Sequence, residues 1–178
     1  MYSPQSPYTR IAFETIKESF RQDHIKNLKL PDLPPELFKI RRGCFVSLHK
    51  LDDELRGCIG TIEPREDNLV EEIKRNAISA AFHDHRFDPL SEWELPGIKI
   101  SVDVLTRPEQ ISSLSDLDPQ IYGLIVSDGK IQKGVLLPSI PEIDTIEKQI
   151  RIVKRKADLS NTDDRNLIFY RFTSNRYH

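Results

Sequence analysis

Arg56 and Cys58 stand two residues apart in a short apolar segment, residues 55–60, with the sequence Leu-Arg-Gly-Cys-Ile-Gly. Because side chains alternate between the faces of a β-strand, Arg56, Cys58 and Gly60 are expected on one face. A nearby cation stabilises a thiolate, so we expect Arg56 to lower the pKa of Cys58. Gly57 and Gly60 would leave room for a ligand to approach the sulfur. The alternative is a buried cysteine that acts as a small hydrophobe, beside an Arg56 that is solvated or paired with an acid.

A second cluster of titratable groups occupies residues 83–86, directly after a predicted helix. His83 is suited to general acid–base work, Asp84 to orienting its ring, and Arg86 to binding an anion. The alternative is a helix C-terminus at which His83 meets the helix dipole and Asp84 pairs with Arg86. This loop is therefore the second candidate for part of a functional site.

Signals for metals and cofactors are weak. Four side chains are compatible with zinc, but their spacing is not that of a closed zinc motif, and no metal is predicted. These side chains are Cys44, Cys58, His83 and His85. The chain contains no phosphate-binding loop, dinucleotide fingerprint or paired-cysteine motif, so no cofactor is predicted. A hairpin turn at residues 52–53 would pair Cys58 with residues near Ser47, which is too far from Cys44 for a disulfide.

The spacing of apolar residues predicts three or four helices and five or six strands. Helices are expected at residues 8–22, 68–82 and 142–157, with a proline-rich connector at 27–42. Strands are expected at residues 43–49, 55–62, 98–104, 124–127, 131–137 and 167–172. Because hairpins outnumber crossover helices, we expect an α+β fold with a mainly antiparallel or mixed sheet of five or more strands, flanked by helices. The length of 178 residues predicts one domain, 1–178, or one domain with a smaller lobe.

The charge and composition of the chain limit the kinds of molecule that it is expected to bind. The net charge of −2 argues against indiscriminate binding to nucleic acid or to an anionic membrane. A basic run on the third predicted helix leaves a local phosphate or RNA contact open. It consists of Lys148, Arg151, Lys154, Arg155 and Lys156. The absence of a long apolar run and of a signal peptide, together with only two cysteines, leads us to expect a cytoplasmic protein without membrane association.

Several segments together resemble the AMMECR protein family, named after a chromosomal region linked to Alport syndrome and elliptocytosis. The main block is Leu-Arg-Gly-Cys-Ile-Gly-Thr at residues 55–61, followed by Ser-Ala-Ala-Phe-His-Asp at 79–84. Residues 100–106, 123–126 and 134–138 are similar to the later strands of the family. The resemblance covers most of the chain. It departs at His85, where the family commonly has proline, and near Lys154, where the family tends to have a cysteine.

The resemblance implies a larger and a smaller subdomain of α/β architecture, with the two motif blocks near one cleft. On this basis Cys58, His83 and Asp84 are the candidate catalytic residues. The candidate residues for binding an anionic or nucleotide-like small molecule are Arg56, Gly57, Gly60 and Arg86. Prokaryotic members resemble protein A of the AmmeMemoRadiSam system, which implies Memo-like and radical-SAM partners. The competing hypotheses are therefore a small enzyme or ligand-binding protein, a non-catalytic partner or scaffold, and a protein associated with RNA modification.

Overall fold

The computed structural model describes residues 2–21, 30 and 32–178. The chain divides into two compact units. Unit 1 comprises Met1–Val104 and Asn175–His178, and unit 2 comprises Leu105–Ser174. Part of the predicted connector at 27–42 and the predicted end of the first helix at residue 22 lie outside the described residues.

Unit 1 is built on a four-stranded sheet. Its strands are β1 (Cys44–His49), β2 (Leu55–Gly60), β3 (Lys99–Leu105) and β8 (Ser174–Tyr177), in the spatial order β2-β1-β3-β8. Strand β1 pairs antiparallel with both β2 and β3. Because β2 is an outer strand of this sheet, one of its edges has no neighbouring strand among the described residues.

Two helices of unit 1 begin at side-chain caps. Helix α1 (Pro7–Ser19) starts after Ser6, whose hydroxyl accepts the backbone N–H of Thr9 at 3.2 Å. Helix α2 (Leu69–Phe82) starts after Asn68, whose side chain accepts the N–H of Glu71 at 3.1 Å. The spacing of Asn68 and Glu71 predicts this start. Helix α2 packs its small, buried residues on β1 and β2 and ends directly before the loop at residues 83–86.

The β1–β2 hairpin fixes the position of the thiol. Ser47 faces Cys58 across the pair, in the region where the predicted turn places the partner of Cys58. The turn itself closes between Lys50 and Glu54, where the Lys50 N–H donates to the Glu54 carbonyl at 2.8 Å. The register then shifts between Leu48 and His49, so that Arg56 is an extra residue with no partner on β1. A β-bulge of this kind bends a strand and changes the direction of a side chain. The strict alternation expected for residues 55–60 therefore fails at Arg56.

Unit 2 contains a second four-stranded sheet. Its strands are β4 (Glu109–Gln110), β5 (Gly123–Ser127), β6 (Lys133–Leu136) and β7 (Ile168–Phe172), in the spatial order β4-β7-β5-β6. All three pairings are antiparallel. Helix α3 (Ile146–Lys156) packs on β5 and β6. It begins later than predicted because Thr145 caps it, accepting the N–H of Lys148 at 3.2 Å.

The expected α+β fold is confirmed. The residues that the structure describes form eight strands, arranged as two sheets of four. Strands β4 and β8 are additions to the predicted set, and both are short. Within the described ranges, no helix combines the length and the apolar character that a bilayer span needs.

Candidate functional site

Asp84 and Arg86 bind the free edge of strand β2 at Cys58. The backbone N–H of Cys58 donates to Asp84 Oδ2 at 2.9 Å, and Arg86 Nη2 donates to the Cys58 carbonyl at 3.3 Å. Asp84 and Arg86 also pair with each other, at 2.9 Å for Nε–Oδ1 and 2.7 Å for Nη2–Oδ2. The two side chains thus take the hydrogen bonds that a neighbouring strand would make. We call Cys58, Asp84 and Arg86 the edge clamp.

The Asp84 carboxylate is a fixed charge. The residue is only 3% exposed. Hydrogen bonds from the Arg86 guanidinium hold the pKa of Asp84 well below its usual range, helped by the backbone N–H groups of Cys58 and Arg86 and opposed by burial. A carboxyl group with such a low pKa stays ionised at neutral pH. It therefore stabilises the loop as an acceptor of hydrogen bonds.

His83 lies outside the clamp. Its side chain is exposed, and its backbone N–H donates to the Ser79 carbonyl at 2.9 Å as the C-cap of α2. The imidazole makes no hydrogen bond to any residue that the structure describes. The expected orientation of His83 by Asp84 is therefore wrong, because both carboxylate oxygens are bound by Arg86 and by backbone N–H groups. The catalytic roles of His83 and Asp84 stay predictions.

The Cys58 thiol is half-buried and receives one hydrogen bond. The Ser47 hydroxyl donates to its sulfur at 3.1 Å. Burial raises the pKa of the Cys58 thiol above its ordinary value and outweighs the lowering effects of the Ser47 hydroxyl and the Arg86 guanidinium. The expectation that Arg56 lowers this pKa is wrong, since Arg86 is the cation that acts on the sulfur and its effect is smaller than that of burial. The structure therefore favours a protonated thiol at neutral pH.

Arg56 is occupied by a carboxylate. It is only 8% exposed, and it binds both oxygens of Glu94, at 2.9 Å from Nε and 3.2 Å from Nη2. A third bond joins Arg56 Nη1 to the Asp88 carbonyl at 3.0 Å. Hydrogen bonds from Arg56 also lower the pKa of Glu94. The sequence alternative of an acid-paired Arg56 is thus the arrangement observed.

The two glycines of the motif are required by packing. A Cβ atom at Gly57 would collide with the Ala80 carbonyl oxygen of helix α2. A Cβ atom at Gly60 would collide with the Phe45 ring. The backbone of α2 thus comes close to β2 at Gly57, and the space expected for a ligand is filled by the protein itself. The binding roles of Gly57 and Gly60 stay predictions.

A cleft of about 640 Å³ lies in unit 1 beside the edge clamp. Its lining is rich in charged and aromatic side chains and comprises Lys50, Arg56, His85, Arg86, Phe87, Asp88, Pro89, Ser91, Trp93 and Glu94. Trp93, the single tryptophan of the chain, is 82% exposed. Of the sequence-predicted site residues, Arg56 and Arg86 line this cleft, whereas Cys58 and His83 do not.

A family model described as AMMECR1 matches residues 9–177. The chain belongs to the AMMECR1 family. A protein of Thermotoga maritima is 46% identical over 175 residues, which cover 97% of this chain and 98% of the relative. A Clostridium acetobutylicum protein is 42% identical over 161 residues, covering 90% of this chain and 34% of the relative. The crystal structure of an uncharacterised Pyrococcus horikoshii protein matches with a TM-score of 0.81 and 31% identity, covering 95% of this chain and 88% of that one.

Sequence reasoning missed most of the lining of this AMMECR1 cleft, since only Arg56 and Arg86 were site candidates. Lys50, Trp93 and Glu94 line it, and none was a candidate. One local signal was available, because Ser91 and Glu94 have the spacing of a capping box, and the Ser91 N–H donates to Glu94 at 2.8 Å. The other two carried no local signal, since a lysine and a tryptophan in polar segments are ordinary surface residues.

The remaining titratable clusters of this AMMECR1 chain have structural partners. Within residues 2–21, 30 and 32–178, no group of three or more His, Cys, Asp or Glu side chains is arranged to hold a metal ion. Three of the five basic side chains on and near α3 are bonded, Lys148 to Asp144, Lys154 to Asp164, and Lys156 to the Val135 carbonyl. The side chains of Arg151 and Arg155 make no bond to any other described residue, and the exposed pair of Lys148 with Asp144 can also open to a phosphate, so a local RNA contact stays a prediction.

Proposed function

We propose that this AMMECR1 protein binds a small molecule that carries an aromatic ring and an anionic group, such as a nucleotide, in the cleft of unit 1. The observation that carries the proposal is Trp93, which is 82% exposed on the lining of a cleft that also contains Lys50 and Arg86. An aromatic side chain stacks on nucleobases, and lysine and arginine bind phosphate. The volume of about 640 Å³ lies within the range of small-molecule sites.

Two cations of the lining are accessible to a ligand. The side chain of Arg86 is 48% exposed while it holds Asp84. Lys50 pairs with Glu54 at 2.6 Å, and both side chains of this pair are exposed. Exposed ion pairs contribute little to stability, so Lys50 can exchange Glu54 for a ligand phosphate at small cost. Arg56 and Glu94 neutralise each other and form a fixed part of the wall.

The geometry of the cleft in unit 1 fits ligand binding better than it fits nucleophilic catalysis by the Cys58 thiol. Cys58 does not line the cleft, and its pKa is raised. A nucleophilic role would need a thiolate that a substrate can reach. We therefore assign Cys58 to the edge clamp and assign ligand contact to Trp93, Lys50 and Arg86.

Fluorescence of the single tryptophan tests the proposal directly. AMP is expected to quench Trp93 emission saturably. Adenosine lacks the phosphate and ribose 5-phosphate lacks the ring, so both are expected to bind at least about fivefold more weakly. Lys50→Gln should weaken AMP binding about threefold, whereas Lys39→Gln, an exposed lysine of the same unit that does not line the cleft, should have no effect. Absence of saturable quenching, or equal effects of the two lysine variants, would contradict the proposal.

A second candidate is docking of a protein partner, of the Memo-like or radical-SAM kind that the family resemblance implies. Trp93 and Leu51 are both large apolar side chains of unit 1 with more than half of their surface exposed. Exposed aromatic residues are common anchors of protein interfaces. Trp93→Ala would remove either kind of binding, whereas Leu51→Ser, outside the cleft lining, would impair only the docking of a protein.

A further inference from the structure

Unit 2 contains a cleft of its own, with a volume of about 520 Å³. Three apolar side chains, Leu114, Ile146 and Ile150, contribute to its lining. The remaining lining residues are polar or charged and comprise Ser115, Glu147, Arg151, Lys154, Ser160 and Asp164. A cleft of this volume that combines apolar and polar side chains can hold a small organic ligand.

The charges of this cleft comprise one ion pair within the protein and two exposed groups in contact with solvent. Lys154 Nζ donates to Asp164 Oδ1 at 2.6 Å and to the Thr162 carbonyl at 2.7 Å, so this charge has partners within the protein. Arg151 and Glu147 are exposed, and neither makes a hydrogen bond or an ion pair with any residue in the described part of the chain. The cleft thus offers one guanidinium and one carboxylate to a ligand.

The two exposed groups have a fixed spacing. Glu147 and Arg151 are four residues apart on helix α3, so their Cβ atoms lie about 5–6 Å apart on one face. A ligand that places a carboxylate on Arg151 and an ammonium on Glu147 satisfies both charges. Its apolar part then covers Leu114, Ile146 and Ile150. A ligand with only one charge leaves one of the two protein groups without a partner.

We propose that the cleft of unit 2 binds a small zwitterion with an apolar body, of the class of apolar dipeptides with free termini. The carboxylate of the ligand pairs with Arg151, and its ammonium pairs with Glu147. The Ser160 hydroxyl is available to the peptide unit between them, whereas the Ser115 hydroxyl shares a hydrogen bond with Ser113 Oγ at 2.7 Å. This site is lined only by residues of unit 2 and does not depend on the nucleotide proposal for unit 1.

The test uses four matched peptides and NMR titration of the whole protein. Leucyl-leucine should shift amide resonances of α3 saturably. Glycyl-glycine lacks the apolar side chains and should bind at least about tenfold more weakly. N-acetyl-leucyl-leucine lacks the ammonium and leucyl-leucinamide lacks the carboxylate, and each should bind about threefold more weakly.

Variants assign each charge to its partner. Arg151→Gln should weaken the binding of leucyl-leucine about threefold. This variant should bind leucyl-leucine and leucyl-leucinamide equally well, but it should still prefer leucyl-leucine to N-acetyl-leucyl-leucine. Glu147→Gln should bind leucyl-leucine and N-acetyl-leucyl-leucine equally well, but it should still prefer leucyl-leucine to leucyl-leucinamide. Arg155→Gln is the matched control, since Arg155 is exposed on the same helix and does not line the cleft. All these substitutions are at exposed positions, and an unchanged amide spectrum confirms the fold of each variant.

Three results would overturn the proposal: no saturable shift with leucyl-leucine, equal binding of all four peptides, or an effect of Arg155→Gln equal to that of Arg151→Gln.

Discussion

Arg86 in unit 1 and Arg151 in unit 2 are both accessible arginines that line a cleft, but they differ in their partners. Arg86 holds Asp84 through two bonds and the Cys58 carbonyl through a third. Arg151 has no bonded partner among the residues that the structure describes. Arg86 stands in a recognisable motif, whereas Arg151 stands in an ordinary basic helix. Arg86 therefore stabilises the fold as well as lining a cleft, whereas Arg151 lines a cleft without a structural partner in the described part of the chain.

Removing the acceptor of the edge clamp should have the largest effect. Asp84→Ala leaves the Cys58 N–H and the Arg86 guanidinium without their carboxylate, and we expect a loss of about 3 kcal/mol in the free energy of unfolding. Urea unfolding followed by Trp93 fluorescence measures this loss in unit 1. Asp88→Ala is the control, because the Asp88 side chain is exposed and only its carbonyl is used, by Arg56. A loss below about 1 kcal/mol for Asp84→Ala would contradict the claim that the edge clamp stabilises unit 1.

The two arginines can be compared directly. Arg86→Gln leaves a buried carboxylate without its cation, and we expect a loss of about 2 kcal/mol once the partial exposure of Arg86 is allowed for. Arg151→Gln should change the free energy of unfolding by less than about 0.5 kcal/mol. Thermal and urea unfolding of the two variants check both values. Equal losses of stability in the two variants would contradict the structural role assigned to Arg86.

Gly57 tests whether packing explains the glycine of the motif. Gly57→Ala forces a Cβ atom against the Ala80 carbonyl, and we expect a loss of about 1.5 kcal/mol. Gly97→Ala is the matched control, since a Cβ atom at Gly97 meets no atom within 4 Å. Urea unfolding compares the two. A stable Gly57→Ala protein that no longer binds AMP would instead support the ligand role predicted from the sequence.

Low pH should lower the free energy of unfolding of unit 1, because Asp84 becomes protonated in the unfolded chain first. The pKa of Asp84 is lower in the folded protein than in the unfolded chain, so its contribution is present above an unfolded pKa of about 3.9 and declines as the pH falls below it. We expect the free energy of unfolding to fall by about 1 kcal/mol between about pH 5 and pH 3, and Asp84→Asn to flatten this decline. Urea unfolding across this range is the measurement. If the free energy of unfolding of Asp84→Asn declined with the same slope, the acid sensitivity would come from other carboxylates.

Sequence patterns predicted the local parts of this site. The turn predicted at residues 52–53 placed Cys58 near Ser47, and the cap at Asn68 located the start of α2. The pairing of Asp84 with Arg86 was one of two interpretations of the loop, because two side chains only two positions apart in a loop can meet whatever the rest of the fold. These contacts depend on residues close in the chain.

The remainder of the site depends on contacts between distant residues. The partner of Arg56 is Glu94, 38 residues away, and no local pattern connects them. The bulge that changes the direction of Arg56 is a property of the pairing with β1, so period-two alternation cannot reveal it. The raised pKa of Cys58 results from burial by the folded chain, whereas its sequence neighbours suggested the opposite shift.

The alkylation rate of Cys58 as a function of pH tests most directly whether the two motif blocks form a structural clamp or a reactive site. Cys44 is a suitable silent background, because burial raises its pKa to about 12. We predict slow alkylation in the folded protein, with an apparent pKa above the ordinary value of a free thiol, and no protection by AMP. An apparent pKa clearly below about 8.5, with protection by AMP, would contradict the account and identify Cys58 as an active-site thiolate.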